Sequence, residues 1–213
     1  MNTKKYQRYQ DYVIRDGRLV GEFEEMYRDH ADPWHQSTRE SFSTEKMAAI
    51  NLLHRLKARR VIEVGCGLGY FSRKLADSGV QVLGLDVAAT AIAKASALHG
   101  GGHCQFRQAD ILDVAPYAEF QPEAVIMAEV TWYVLDKLPA YLALLRRVLP
   151  GRHLIHLLNT YPSGEQKYGV QWFSNLAEIK HYFGMDYLEW GEIYDAEKQG
   201  SVRTYFCARI NEA

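Results

Sequence analysis

A chain of 213 residues with 47% apolar content is long enough for one compact domain and apolar enough to fill its core. Its 25 Lys and Arg against 26 Asp and Glu leave neither the basic excess of a binder driven by bulk charge nor the acidic excess of a disordered tail. Lys4, Lys5, Arg8, Asp11, Arg15, Asp16 and Arg18 break any apolar leader, and no later stretch approaches ~18 apolar residues, so secretion and membrane spanning are unsupported.

Residues 1 to about 20 are polar and Tyr-rich without sustained periodicity, and Asp16-Gly17 is a turn signal. Residues 1–42 read as an arm and lid: they lack a core pattern of their own, yet Tyr6, Tyr9, Tyr12, Phe23, Tyr27, Trp34 and Phe42 need cover. Residues 43–213 read as the main domain. Ser43 or Thr44 suits the cap of a helix whose Met47, Ile50, Leu53 and Leu56 recur every third residue as an apolar face. Val61 to Val64 is a short strand broken by Gly65, Phe71 to Asp77 a helical stretch, and Val80 to Val87 a second strand. A helix from about Ala88 to Leu98, the turn Gly100-Gly101-Gly102 and a strand ending near Asp110 follow. Glu123 to Val130 reads as a fourth strand, Leu138 to Leu149 as a helical stripe ended by Pro150-Gly151, and His153 to Leu158 as a fifth strand. This alternation predicts the α/β class, with a mostly parallel sheet covered by helices on both faces. Beyond a polar, aromatic loop over 159–170, Phe173, Leu176, Ile179 and Phe183 space one more helix. Two strands without a helix between them then predict a terminal antiparallel hairpin, Val202, Thr204, Phe206, Ala208 and Ile210 alternating with Arg203, Tyr205, Cys207 and Arg209.

Glu63-Val64-Gly65-Cys66-Gly67-Leu68-Gly69 sits where a strand hands over to a helix, so its glycines let the backbone turn tightly and approach a ligand. A dinucleotide fingerprint would need GxGxxG/A, and Tyr70 stands at its third glycine, which weakens a nicotinamide oxidoreductase reading. Asp86 ends the second strand, where a carboxylate accepts both ribose hydroxyls, and Asp110 ends the third, where one accepts from an adenine amino group. Ligands of open α/β sheets bind beyond the carboxyl ends of the strands, so loop and carboxylates describe one pocket for an adenine nucleoside. Cys66, Cys104 and Cys207 lie far apart without CxxC spacing, which predicts no disulfide framework, no metal site and a reducing cytoplasm. Cys66 itself reads as a small residue filling a tight turn.

These residues resemble the class I S-adenosylmethionine-dependent methyltransferases. VIEVGCGLGYFSRKLA looks like their first motif, GLDVA their ribose-binding strand end and QADILD their adenine-side motif. AEVTWYVLDKL with LLRRVLPG looks like their fourth strand and next helix. The resemblance covers roughly residues 60 to 158 and implies a Rossmann-like seven-stranded sheet, with which the terminal hairpin agrees. It implies S-adenosylmethionine as cofactor, with Glu63, Gly65 and Gly67 along the methionine half, Asp86 and Val87 at the ribose, and Asp110 and Ile111 at the adenine. Glu129 and Val130 form the floor beneath the sulfonium, and Tyr133 stands at the methyl-transfer side or packs on the following helix. More narrowly, Asp32-Pro33-Trp34, Ala128-Glu129-Val130 and Trp132-Tyr133 look like nodulation-factor N-methyltransferases, which methylate a chito-oligosaccharide amine. That likeness implies a carbohydrate acceptor, Trp34 against the cofactor, and Lys46 or Arg39 near its carboxylate.

An activated methyl needs an acceptor held in line at about 3 to 3.5 Å with water excluded; a hydroxyl needs a base as well, whereas a neutral amine or ionised oxygen attacks unaided. His35 beside Trp34 is the first-ranked base, His153 and His156 reading as core residues of a covered strand and His181 as a surface residue. Asn159, Tyr161, Lys167, Tyr168 and Trp172, beyond the fifth strand, suit a sugar or other small polar acceptor, or else cover the hairpin. The expected function is methylation of a small polar acceptor without nucleic-acid or membrane partners, with a homodimer contact as an alternative use of the arm's aromatics. The rivals are a non-catalytic S-adenosylmethionine-binding regulator and a nucleic-acid methyltransferase, against which Glu129-Val130-Thr131-Trp132 replaces an Asn/Asp-Pro-Pro-aromatic motif.

Overall fold

The computed structural model describes residues 4–38, 43–161, 164–166, 168–195 and 200–212. The arm opens with α1 (Gln10–Val13), then β1 (Ile14–Arg15) and β2 (Arg18–Leu19) pair antiparallel. Asp16 (φ 52°) and Gly17 (φ 71°) turn between them, both left-handed as the twist of a two-residue hairpin demands. Next comes α2 (Phe23–Asp29). Tyr12 and Met26 are fully buried, in one cluster with Leu68, Ala88 and Ala91 of the main domain. Glu24 fastens this layer by accepting from Thr90 N at 3.0 Å and from Thr90 Oγ1 at 2.5 Å, across the start of the facing helix. Those two bonds hold the Glu24 carboxyl below its ordinary pKa.

The helix α3 (Thr44–Arg55) begins after Ser43, as expected, but buries a different face. Glu45, Lys46, Ala49, Leu52 and Leu53 are covered, whereas Met47 is 47% exposed. Three residues turn a helix by 300°, so a strict three-residue spacing drifts about 60° per step and leaves one face within two turns.

The central sheet follows: β3 (Arg60–Val64), α4 (Tyr70–Asp77), β4 (Gln81–Asp86), α5 (Ala89–His99), β5 (Cys104–Gln108), α6 (Val114–Phe120), β6 (Ala124–Ala128), α7 (Leu138–Val148), β7 (His153–Thr160), α8 (Leu176–Phe183), β8 (Asp186–Tyr194) and β9 (Val202–Arg209). Its strand order is β5-β4-β3-β6-β7-β9-β8, parallel from β5 to β7, with β7–β9 and β9–β8 antiparallel. The Rossmann-like sheet and terminal hairpin are as expected. The third and fourth strands are shorter: β5 stops at Gln108, so Asp110 lies in the following turn, and β6 spans Ala124–Ala128, not Glu123 to Val130.

α6, between those strands, has no apolar stripe long enough to read from the sequence; Tyr117 buries fully and bonds Ile111 O at 3.2 Å. One core layer joins α7 and α8 to Ile62, Leu83, Val125 and Leu154, and the other joins α3 and α4 to Val61, Val82, Ile126 and Ile155. Strand order reverses about β3, so the switch point opens above the carboxyl ends of β3, β4 and β6. Among the described residues no helix is long and apolar enough to cross a membrane.

Candidate active site

A cavity of about 500 Å³ lies at that switch point. Its floor is the turn after β3, where Gly65 (φ 69°), Gly67 (φ 56°) and Gly69 (φ 79°) are all left-handed, a region that costs side chains with a Cβ. A Cβ on Gly65 would stand 2.5 Å from Val130 Cγ2, and Val130 lines the cavity from the adjacent strand end. Gly67 does not line the cavity; a Cβ there would meet the Tyr27 hydroxyl and Gln36 Oε1, each at 2.7 Å. Its glycine therefore makes room for the arm. Cys66 is fully buried, and burial, with the neighbouring Asp86 and Glu63 charges, pushes its thiol well above the ordinary value, so it is no nucleophile.

Asp86 faces the cavity at the end of β4, nearly fully buried. Oδ2 accepts from Gly67 N at 2.9 Å and Oδ1 from Ala88 N at 3.0 Å. Burial raises its pKa and these amides oppose the rise. Each carboxylate oxygen accepts more than one bond, so the group that shapes the turn and precedes α5 keeps lone pairs for two ribose hydroxyls.

At one end of the cavity, Glu63 is buried with its carboxylate taking the Ser72 hydroxyl, and burial lifts it to about 7 against the opposing Ser72 bond and Lys46 charge. Lys46 lines the same end, with Nζ 5.3 Å from the centre of the Phe71 ring. Another part of the cavity is lined by half-exposed Val87 and buried Ile111. Asp110 sits at its edge: burial pushes its pKa up, but the Lys137 ammonium and the Leu112 amide outweigh that and hold it below the ordinary range.

At the far end Glu129 is left-handed (φ 59°), a strained conformation for a residue with a Cβ, and its Oε2 accepts from Asn159 N at 3.2 Å. Tyr133, in a 3-10 turn, packs against Trp34 (5.3 Å between ring centres) and Phe23 (5.9 Å). Asn159 and Tyr161 complete this wall, and Asn159 O accepts from Trp132 Nε1 at 2.9 Å. Tyr161, Trp132 and Tyr133 also border a second cavity, of about 280 Å³, that includes Tyr168.

Besides Gly67, two expected positions fall outside both cavities. His35 is exposed and left-handed (φ 55°), its ring 6.1 Å from that of Tyr9 and turned from the crevice, so its place beside Trp34 in sequence does not make it a base. Trp172 packs on Tyr182 at 5.6 Å, in the wall of α8. Arg39 and Lys167 lie outside the described residues. His153 starts β7, at the end of the sheet opposite the crevice; His156 is buried with Nε2 2.7 Å from Thr131 Oγ1, and burial pushes its pKa down to about 3.

The arm supplies what the sequence left unmarked. Gln36 Oε1 accepts from Leu68 N at 2.7 Å and Nε2 donates to Cys66 O at 3.4 Å, so one carboxamide clasps the glycine turn across Gly67. Trp34 lines the cavity and donates from Nε1 to the Tyr27 hydroxyl at 2.9 Å. Lys94 of α5 closes the end of α2 on Tyr27 O (2.5 Å) and His30 O (3.1 Å). No local pattern distinguishes Gln36, but Phe23 and Tyr27, four apart in the arm's aromatic series, share a helix face that sequence can find.

Residues 62–155 match a family model described as a methyltransferase domain. A ubiquinone biosynthesis O-methyltransferase of Alkalilimnicola ehrlichii is 34% identical over 102 residues, 47% of this chain and 41% of that protein. The same enzyme of Nitrosospira multiformis is 30% identical over 99 residues, 46% of this chain and 41% of the relative. This chain thus matches less than half the length of these curated relatives. Among solved structures, the putative methyltransferase of a Haloferax volcanii complex with the Trm112 activator superposes with TM-score 0.64 at 20% identity, covering 87% of this chain and 98% of that one. N-methyltransferase NodS from Bradyrhizobium japonicum WM9, solved with S-adenosyl-L-homocysteine, gives 0.57 at 19%, covering 84% and 93%. The strand order, the glycine turn and the domain match agree: this chain has the Rossmann-like fold of these methyltransferases, and its residues 62–155 are similar to their methyltransferase domain.

Proposed function

We propose that this chain transfers the methyl group of S-adenosylmethionine to a small polar acceptor, a sugar or sugar derivative. The observation that carries this reading is the continuity of the cavity, from the buried Asp86 carboxylate past Glu129 to the aromatic walls Trp132, Tyr133 and Tyr161. Aromatic faces with polar groups at their edges suit a ring bearing hydroxyls. NodS, similar in fold, is an N-methyltransferase, in keeping with an amino sugar among the candidate acceptors.

When bound, the cofactor would supply an activated methyl group on a sulfonium to an oxygen or nitrogen of the acceptor. The chain has to bind, orient and exclude water. Asp86 fixes the ribose, Val87 and Ile111 flank the base, and Trp34, Phe23 and Tyr133 close the crevice against solvent. Neither cavity is lined by a histidine among the described residues, so proton acceptance from a hydroxyl falls to the Glu129 carboxylate. Burial and the nearby Glu129 carboxylate keep the Tyr161 phenol above its ordinary pKa, which leaves it a hydrogen-bond donor at neutral pH.

A phenolic acceptor is the second reading, favoured by the aromatic lining and by the ubiquinone-biosynthesis relatives. The balanced charge and the Glu129-Val130-Thr131-Trp132 segment favour either over a nucleic acid. Incubation with methyl-labelled cofactor and panels of free sugars, amino sugars and phenols, read by mass spectrometry, tests the proposal. A methyl increment on a sugar supports it, one on phenols alone selects the second reading, and cofactor binding without turnover on any panel points to a regulator.

A further inference from the structure

Among the described residues two cations line the larger cavity, Lys46 beside Glu63 and Lys137 beside Asp110. Lys137 closes a 3-10 turn over residues 135–137 that leads into α7, and Val134 stands three residues before it. That spacing turns Val134 and Lys137 to one side, and both line the cavity with Ala109, Asp110 and Ile111.

The wall that meets Lys137 is held by its own backbone. Ala109 N donates to Asp86 O at 3.0 Å, which ties the turn after β5 to the end of β4. Asp110 N donates to Asp113 Oδ2 at 2.8 Å and Leu112 N to Asp110 Oδ1 at 3.1 Å, so the turn also fixes the Asp110 carboxylate. The other oxygen, Oδ2, takes the Lys137 ammonium. This pair is not sealed: the Asp110 side chain is 31% exposed and that of Lys137 48%, which leaves both within reach of a ligand. An ammonium has three N–H donors and a carboxylate about four lone-pair sites, so each group keeps capacity after these bonds. The cavity thus presents an acceptor and a donor side by side, held together by their own bond.

Adenine carries the complement of this pair on the edge remote from its ribose, where the exocyclic amino group donates and the neighbouring ring nitrogen N1 accepts. Hypoxanthine reverses both, with an oxo group beside a protonated N1. We propose that Lys137 is a specificity residue of the cofactor site: Asp110 accepts from the adenine amino group while the Lys137 ammonium donates to N1, and the pair admits adenine and rejects hypoxanthine. The inference rests on S-adenosylmethionine as the cofactor of this cavity. A donor and an acceptor that meet their own kind on the wrong base are left unpaired or opposed, which is how a polar site discriminates. An ion pair that only tied the 3-10 turn to the turn after β5 would not sense N1 at all.

The test is titration calorimetry on the full chain with S-adenosylhomocysteine, its 1-deaza analogue, in which a C–H replaces N1, and S-inosylhomocysteine. The wild-type chain is expected to bind the 1-deaza analogue about tenfold more weakly than the parent, and the inosine analogue at least about 100-fold more weakly. Lys137→Met keeps the apolar stem and removes the ammonium; it should weaken the parent about tenfold and leave the affinity for the 1-deaza analogue as it is in the wild type. Losses that are equal for the two ligands would show that Lys137 acts only by holding Asp110, and would overturn the inference. So would a wild-type chain that binds the 1-deaza analogue as tightly as the parent, or the inosine analogue within tenfold of it, and these two comparisons need no variant. Failure of the wild-type chain to bind S-adenosylhomocysteine overturns instead the cofactor reading on which the inference rests.

Discussion

The cofactor end and the acceptor end of this crevice are made from different materials. The cofactor end is main chain: three short turns after β3, β4 and β5, placed by parallel strand pairing, with Asp86 tied to two backbone amides. The acceptor end is side chain: rings from the arm, a 3-10 turn and the segment after β7 meet across more than a hundred residues of sequence. Backbone geometry fixes the first to a glycine pattern, whereas the second depends on what the arm packs against, and that difference separates general cofactor binding from acceptor choice.

The largest effect that would break this contrast is at Gly65. Gly65→Val places a β-branched side chain at φ 69° against Val130, and S-adenosylhomocysteine binding should fall below calorimetric detection. Cys66→Ala, in the same turn, should leave that affinity unchanged. A Gly65→Val chain that still binds would mean the turn does not cradle the ligand.

Asp86→Ala removes the acceptor expected for two hydroxyls and should weaken both S-adenosylmethionine and S-adenosylhomocysteine by roughly five- to 150-fold, about 1 to 3 kcal/mol. A variant with unchanged affinity but a loosened turn would assign Asp86 to Gly67 and Ala88 alone.

Gln36→Ala sits on the border between the two regions and sharpens the contrast. Loss of the clasp on Leu68 N and Cys66 O should raise the dissociation constant for S-adenosylhomocysteine about tenfold and speed hydrogen exchange across residues 20–38 in the bound state. Trp34→Ala should lower turnover as well as affinity, because its ring also closes the methyl-transfer side. If exchange in the arm ignores the cofactor and Trp34→Ala loses only stability, the arm is a fixed part of the fold and closes over nothing.

The smallest effect concerns pH. Burial lifts the Glu63 carboxyl to about 7, so the folded chain holds that proton more tightly than the unfolded chain does. The contribution is full below the ordinary value near 4.5 and is lost as pH rises through about 7. Glu63→Gln should therefore gain on the wild type in thermal melting between about pH 5 and about pH 8. A constant offset across that range would show that Lys46 keeps the carboxylate ionised throughout.

Much of this was legible without coordinates. The seven strands, the hairpin and the glycine turn carry short-range signals, because strand alternation, turn glycines and strand-end carboxylates are each set by neighbours within a few residues. The turn at Asp16-Gly17 was equally plain, and its left-handed pair bears that out. The three-residue spacing in α3 misled because it follows no helical face, and α6 went unseen because a helix of one or two turns around Pro116 has too little periodicity to stand out.

The sequence by itself determined the parallel sheet, its switch point and the glycine turn beneath it, since backbone turns and strand ends write themselves into adjacent residues. Only the tertiary structure decided which distant side chains meet. It turned His35 out to solvent, set Trp172 behind α8, clasped Gln36 across Gly67 and brought Ile14 to the wall opposite Tyr168. Each of these depends on how the arm docks through Tyr12, Met26 and Glu24, contacts that form only once the sheet exists. Packing between segments so far apart in the chain leaves no periodic trace in either one.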